Sequence, residues 1–350
     1  MSRAEHKELI DMLESVFSRK REATDERDDA IIDSDLWNRL AGLGLDRLTG
    51  DEAQHGSGGS WIESMYLLEA VGRDAARVPI AENDLLAGWL LNCAGIPADD
   101  NLIRSAAVTN SEGYAMAVPW GRAVDRVVVL YPASKNNWRV ADVPTGEVRI
   151  VAGTNYAGEP RDNLTFDLDK LAGQQVSDSL AEEFRFRGGL ARTHLIAGAM
   201  SRIERLVVDH TSARIQFGRP LAKFQAVQQL VADMASEARL AKAGADAAAT
   251  LVNARGFSDP RSRFAIAASA SLVGHASSTV VRNAHQAMGA IGFTAEHELH
   301  RHTNRVLSWR SDFGSVRRWD DYLTEVSVAQ GSANLWPTIV GTEYRPATLA

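Results

Sequence analysis

Two stretches of this sequence combine the residue types that recognise phosphates and nucleobases. In Ser212–Gln225, SARIQFGRPLAKFQ, one helix ends in Arg214, a Phe-Gly-Arg-Pro turn follows, and another helix begins. In Gln286–Phe293, QAMGAIGF, a helix runs into two glycines three residues apart. Arginine forks onto a pyrophosphate, glutamine reads an adenine or ribose edge, and closely spaced glycines let backbone N–H groups approach phosphate oxygens. Together these segments could hold a dinucleotide. The competing reading is plain packing, in which Gly218, Gly289 and Gly292 stop helices and Arg214 is a surface charge.

Other chemistries find less support. His285, His297, His300 and His302 invite a metal reading, but HELH sets two histidines three apart, whereas the helical zinc motif needs four with a glutamate between. No metal is expected. There is no G-x-S-x-G nucleophile turn, and the one thiol, Cys93, lies in an apolar helix without a nearby basic partner.

These segments sit in a chain of 350 residues with 38 Lys and Arg against 45 Asp and Glu, a net charge of -7, 45% hydrophobic and 24% charged residues. An acidic balance without a basic block argues against nucleic acid, whose binding rests on neutralising phosphates. A single cysteine fits a reducing cytoplasm. The start alternates charged and apolar residues, and no uninterrupted run of about 18 apolar residues occurs, so neither export nor a membrane span is expected.

The expected fold is mainly α with a small β domain. Residues 1–105 form an N-terminal helical domain of about four helices. Ser34 caps one of them, Ser60-Trp-Ile-Glu63 has capping-box spacing, and Asn83 and Asp84 precede another. Residues 106–178 form a short middle β domain of four to six strands, in GYAMAV, DRVVVLYP, NWRVADVP, EVRIVAG and DNLTFD. Residues 179–350 form a C-terminal bundle of about four helices, at 186–213, 221–255, 260–288 and 316–328. Its clearest signal is a stripe of Phe224, Val227, Val231, Met234, Ala238, Ala241, Ala245 and Ala248, which keeps one face until Gly256 and Pro260. No βαβ alternation, G-x-G-x-x-G or P-loop appears.

With those residues in place, the sequence resembles the acyl-CoA dehydrogenase family over nearly its whole length. SARIQFGRPLAKFQAVQQLVADM is similar to the family's R-x-x-F-G junction with its following F-Q and A-D-M. HQAMGAIGFTAEHELHR is similar to its Q-x-x-G-G-x-G segment, and DLWNRLAGLGLDRL with AVGRDAARVP to its N-terminal helices. The resemblance implies FAD-dependent α,β-desaturation of a coenzyme A thioester, a carboxylate taking the α-proton while a hydride leaves the β-carbon. Carried over by position, Arg214 contacts the pyrophosphate, Gln216 and Phe217 follow the adenosine, and Leu221, Phe224 and Gln225 line the adenine. Gln286, Gly289 and Ala290 meet the diphosphate, with Ala290 where a second glycine is usual.

The departures point the other way. The family's flavin-holding T-E-P-x-x-G-S-D loop has no counterpart between Val108 and Val143. Phe313 stands where the family's catalytic glutamate stands, and Gly188 and Gly189 fall at the alternative position. Asp312, one residue away, is the remaining base candidate, and Glu296 and Arg192 are further pocket candidates, each set against an ordinary exposed charge. The resemblance therefore implies a short subunit, like those of actinobacterial heterotetrameric acyl-CoA dehydrogenases, that lends the adenine side of FAD to a larger catalytic partner acting on sterol or fatty acyl-CoA thioesters. The alternatives are a self-sufficient homotetramer with an unusual base and a pseudoenzyme scaffold.

Overall fold

In a computed structural model of the chain, residues 3–21, 29–54, 56–98, 101–134 and 137–340 are described, and they divide into two compact units. The first comprises residues up to 71 and 76–191; the second comprises 72–75 and residues from 192 onward.

The first unit opens with α1 (Arg3–Arg21), α2 (Ser34–Gly42) and α3 (Trp61–Arg73). Leu13 and Phe17 of α1 are buried, as are Leu36, Trp37 and Leu40 of α2. The cap of α2 is Asp33 rather than the expected Ser34. Its carboxylate accepts the Leu36 N–H at 3.0 Å, a bond that a carboxylate oxygen reaches from one residue further out. At α3 the expected capping box is present: Glu63 Oε2 accepts the Ser60 N–H at 2.7 Å, and Ser60 Oγ accepts the Ile62 N–H at 3.2 Å.

Asn83 and Asp84 do not precede a helix. They lie inside π-helical turns, Ala81–Gly88, that run into α4 (Trp89–Ala94), and both are buried. Asn83 donates to the Asp46 carbonyl at 2.9 Å and accepts the Arg104 N–H at 2.8 Å. The Asp84 carboxylate accepts the Thr49 N–H at 3.1 Å and the Thr49 hydroxyl at 3.0 Å. The pair ties the 46–49 loop and the first strand to the helix, work that a cap position could not do.

Seven strands follow, more than the four to six expected. β1 (Arg104–Val108), β3 (Arg126–Ser134), β4 (Asn137–Pro144) and β7 (Gln174–Val176) form one sheet in the order β1-β3-β4-β7, with β1 parallel to β3. β2 (Tyr114–Pro119), β6 (Arg161–Thr165) and β5 (Arg149–Val151) form an antiparallel second sheet in the order β2-β6-β5. The five expected strands are β2 to β6. β1 is alanine-rich and β7 only three residues long, so neither has a β-type signal of its own.

The second unit is helical. It takes the part of α5 (Leu180–Ala213) from residue 192, then a hairpin of β8 (Ile215–Gln216) and β9 (Arg219–Pro220), then α6 (Gln225–Arg255) and α7 (Pro260–Met288). It continues through α8 (Leu299–Trp309), α9 (Val316–Gln330) and α10 (Ser332–Val340). The predicted α6 stripe is buried from Met234 through Ala248 and extends to Val252. Helices α8 and α10, eleven and nine residues long, lie outside the four expected helices. Residues 221–223 form a 3-10 turn rather than the start of α6. α7 with its following turn, Pro260–Phe293, has the length and hydropathy of a membrane span, which a search for uninterrupted apolar runs misses because serines break the run; here it packs against α6 and α9.

Burial pushes the Asp84 carboxyl up to about 7, with the Thr49 hydrogen bonds opposing. The folded state therefore holds this proton more tightly than the unfolded chain, and the associated stability, full below the ordinary value of 3.8, is lost as pH rises through about 7. The stability of the wild type relative to Asp84→Asn should fall between about pH 4 and about pH 8 in chemical denaturation. An unchanged difference would show the carboxyl ionised at both.

Candidate functional site

The Arg214 segment is a tight hairpin. Arg214 closes α5 through its N–H to the His210 carbonyl at 2.8 Å, and its own carbonyl accepts the Leu221 N–H at 2.9 Å. Between them Ile215 pairs with Pro220 and Gln216 with Arg219. The two-residue loop is Phe217 and Gly218, at φ +49° and +81°. Positive φ at both positions is what a type I′ turn demands, and only the second is a glycine. A phenylalanine in that conformation is strained by about 1–3 kcal/mol, a state that persists where the surroundings enforce it and that clusters at binding sites.

The strain serves to display an aromatic ring. Phe217 is 91% exposed and touches Phe224 edge-on, centroids 6.2 Å apart, while the Arg219 guanidinium lies 4.2 Å over the Phe224 ring. Arg214, Gln216 and Gln225 are exposed; Leu221 and Phe224 are half-buried. This surface offers a cation, amides and aromatic faces together.

The Gln286 segment ends α7. Gln286, Gly289 and Ala290 are exposed. Gly289 sits at φ +65°, and a Cβ built there would meet nothing within 4 Å, so its backbone borders open space. Gly292 has a different role. A Cβ there would stand 3.0 Å from Met288 Cβ and 3.1 Å from Leu299, which makes it a packing glycine.

Tertiary structure brings the two segments to the same end of a helical hairpin. Asn283, one turn before Gln286, donates to the carbonyl of Leu230, little more than one turn after Gln225, at 3.4 Å. A long contact at the start of α6 and the end of α7 fixes both segments at one pole of the bundle.

Asp312 is placed otherwise than as a solvated helix-end carboxylate. Its Oδ2 accepts from Arg192 Nε at 2.7 Å, with side-chain exposures of 9% and 5%. The Arg192 guanidinium also lies 5.2 Å from the Phe313 ring. Arg192 is thus a buried partner in an ion pair, and Glu296 is exposed. In the first unit Gly188 and Gly189 are buried in α5.

Cys93 does have a basic neighbour, contrary to expectation: Arg187, which pairs with Glu183 at 2.9 Å and stacks 4.3 Å over Trp89. Sequence distance concealed it. Desolvation nevertheless holds the thiol above its ordinary value, against the pull of Arg187, so it is no activated nucleophile. From Val108 to Arg126 the chain forms an Asx turn at Asn110, the bulged strand β2, and a turn at Trp120, with no long loop.

Residues 189–315 match the family described as acyl-CoA dehydrogenase, C-terminal domain. The chain has the acyl-CoA dehydrogenase fold. A solved complex of ChsE4 and ChsE5 from Mycobacterium tuberculosis superposes with a TM-score of 0.78 at 19% identity, over 95% of this chain and 98% of that one. A structure described as the Tcur3481-Tcur3483 steroid ACAD, in a G363A variant, superposes with a TM-score of 0.78 at 20% identity, over 94% and 99%. By sequence the chain is 27% identical over 325 residues to acyl-CoA dehydrogenase FadE34 of M. tuberculosis, covering 85% of this chain and 43% of that protein. The chain thus spans less than half the length of that relative. The match to the acyl-CoA dehydrogenase C-terminal domain supports FAD as the cofactor class, and the open backbone at Gly289 with the displayed Arg214 and Phe217 fits such a dinucleotide.

Removing one partner of a buried ion pair costs several kcal/mol. Asp312→Ala should lower the unfolding free energy by about 3 kcal/mol in chemical denaturation. A loss under about 0.5 kcal/mol would show the carboxylate to be an ordinary surface group.

Proposed function

We propose that this chain is a subunit of a heteromeric, FAD-dependent acyl-CoA dehydrogenase, and that it contributes the adenine-side cofactor contacts while the base lies in a larger partner. The observation that supports the reading is the Asn283–Leu230 hydrogen bond, which holds the start of α6 and the end of α7 together and so places the Arg214 and Gln286 segments toward one end of the hairpin. The two segments that resemble the family's cofactor elements lie toward the same end of that hairpin although about 60 residues separate them in sequence.

In this reading Arg214 forks onto the pyrophosphate, Gln216 and Phe217 flank the adenosine, and Leu221, Phe224 and Gln225 line the adenine. Gln286, with the backbone at Gly289 and Ala290, approaches the diphosphate. Bound FAD supplies the hydride acceptor for α,β-desaturation of the thioester. This chain's own residues bind and orient.

The base is assigned to the partner for a physical reason. Asp312 Oδ2 is committed to Arg192, and Phe313, which has no proton-accepting group, occupies the residue position next to it. The short Val108–Arg126 connection supports the same division, since it leaves little chain to wrap a flavin ring. The complex of ChsE4 and ChsE5 supports a two-chain assembly, and the steroid description of the Tcur3481-Tcur3483 structure supports a sterol-derived acyl group over a simple fatty acyl chain. The single cysteine is in keeping with a cytoplasmic setting.

Visible absorption tests the proposal. Flavin bands should be absent from the chain purified alone and present after co-expression with a larger acyl-CoA dehydrogenase subunit from the same source. Arg214→Ala and Gln286→Ala should each reduce flavin content of the pair at least about tenfold, since each removes a charged or paired contact to the cofactor. Flavin in the lone chain would favour the self-sufficient enzyme, with Asp312 as the first residue to test. Unchanged flavin in both variants would sink the assigned contacts.

A further inference from the structure

The turn that follows Gln286 is held by histidines. Gly289–Phe293 is a 3-10 turn, and residues 294–298 link it to α8. His297 lies two residues before Leu299, the first residue of α8, and its Nδ1 accepts the Leu299 N–H at 3.1 Å. Glu298, at the cap position, makes no side-chain cap bond, so the imidazole lone pair satisfies one of the N–H groups that a helix start leaves open. His300 Nδ1 in turn donates to the His297 carbonyl at 2.7 Å.

The other side of the turn is clamped by His285. Its ring stacks on Phe293 with centroids 4.3 Å apart and planes 28° apart, and its Nε2 lies 3.0 Å from the Thr303 hydroxyl of α8. Gly292 fits beneath, with its hypothetical Cβ 3.4 Å from His285 Nδ1. The turn that carries the candidate diphosphate contacts thus depends on two imidazoles and a glycine.

An imidazole accepts through Nδ1 only while that nitrogen is unprotonated. Protonation of His297 would set donor against donor at Leu299 and place a positive charge at the positive end of the α8 dipole. The groups around it are Glu298 on its own segment, His300 on α8, and Arg202 and His210 on α5; Arg202 also pairs with Glu298. Burial, Arg202 and His300 hold His297 below the ordinary imidazole value, against the opposing pull of Glu298. The ordering it provides is therefore complete above the ordinary value of 6.5 and is lost as pH falls below it.

We propose that His297, as a neutral imidazole, is a positioning residue for the 289–298 turn, keeping the Gln286–Ala290 segment in its cofactor-ready arrangement and releasing it on protonation. The role toward the cofactor rests on the flavin reading above; the ordering of the turn does not.

Amide hydrogen exchange of the full chain tests the ordering directly, with rates corrected for intrinsic pH dependence and α6 as internal reference. Protection across residues 289–303 should fall measurably between about pH 7.5 and about pH 5.5, by up to about tenfold. His297→Asn, whose side-chain oxygen accepts an N–H at either pH, should keep protection at both, and His297→Ala should lack it at both. Wild-type protection that ignores pH, or a His297→Asn variant that keeps the full wild-type pH response, would overturn the proposal. In the flavin-bearing pair, FAD affinity should follow the same pH trend and lose it in His297→Asn; affinity indifferent to pH would overturn the link to the cofactor. Absence of flavin from every assembly would instead defeat the functional reading and leave the exchange result to decide the role of His297 in the turn.

Discussion

The close approach of α6 and α7 is the constraint on which the second unit depends. Ala241, Ala245, Ala248 and Ala249 of α6 and Ile266, Ala267, Val273 and Ala276 of α7 are all buried to within 1% exposure. At Gly244 a Cβ would stand 2.8 Å from Leu272 Cδ2, so an added methyl would require that side chain to shift. Small side chains bring helix backbones together and keep long helices straight against one another. Two helices of 31 and 29 residues joined by a short link then return the chain to its starting level. That return brings the end of α7 back to the start of α6, where Asn283 bonds the Leu230 carbonyl.

Charge is distributed in keeping with that geometry. Arg192, Arg202 and Arg305 are drawn into the bundle or onto its carboxylates and carbonyls: Arg192 to Asp312, Arg202 to Glu298, and Arg305 to the Arg301 carbonyl. Glu298, bonded by His302 and Arg202, is held down at about 2. These groups stabilise loops and helix ends. Arg214, in contrast, stands exposed on a strained hairpin whose neighbouring ring is also exposed. In the proposed assembly this cation and aromatic face, left in water at a conformational cost, would meet the cofactor rather than the fold.

The same contrast separates binding from proton transfer. A general base must present a lone pair to the proton it takes. Asp312 has the acidic side chain but meets a guanidinium, and Phe313 beside it has the position but no acceptor. A chain can keep the elements that hold a cofactor and still leave the chemical step to another subunit, because the two tasks use different atoms.

Local sequence determined the long elements: the α6 stripe and the α7 span of 260–288 follow from helical spacing and helix stops, and the five central strands from runs of β-type residues between turn formers. Residue types marked the 212–225 and 286–293 segments as binding candidates, and the resemblance to the acyl-CoA dehydrogenase family singled out Arg214, Gln216, Phe217, Leu221, Phe224, Gln225, Gln286, Gly289 and Ala290 within them. Tertiary structure decided what those residues meet. Nothing in local sequence shows that Asp33 rather than Ser34 caps α2, that Asn83 and Asp84 are buried ties, or that Arg187 reaches Cys93. Nor does it show that Arg192 finds Asp312 across 120 positions or that His297 caps α8. Repeats are properties of a backbone conformation and survive in any context, whereas a polar contact between distant residues exists only once the chain has folded and brought its two atoms within hydrogen-bond reach.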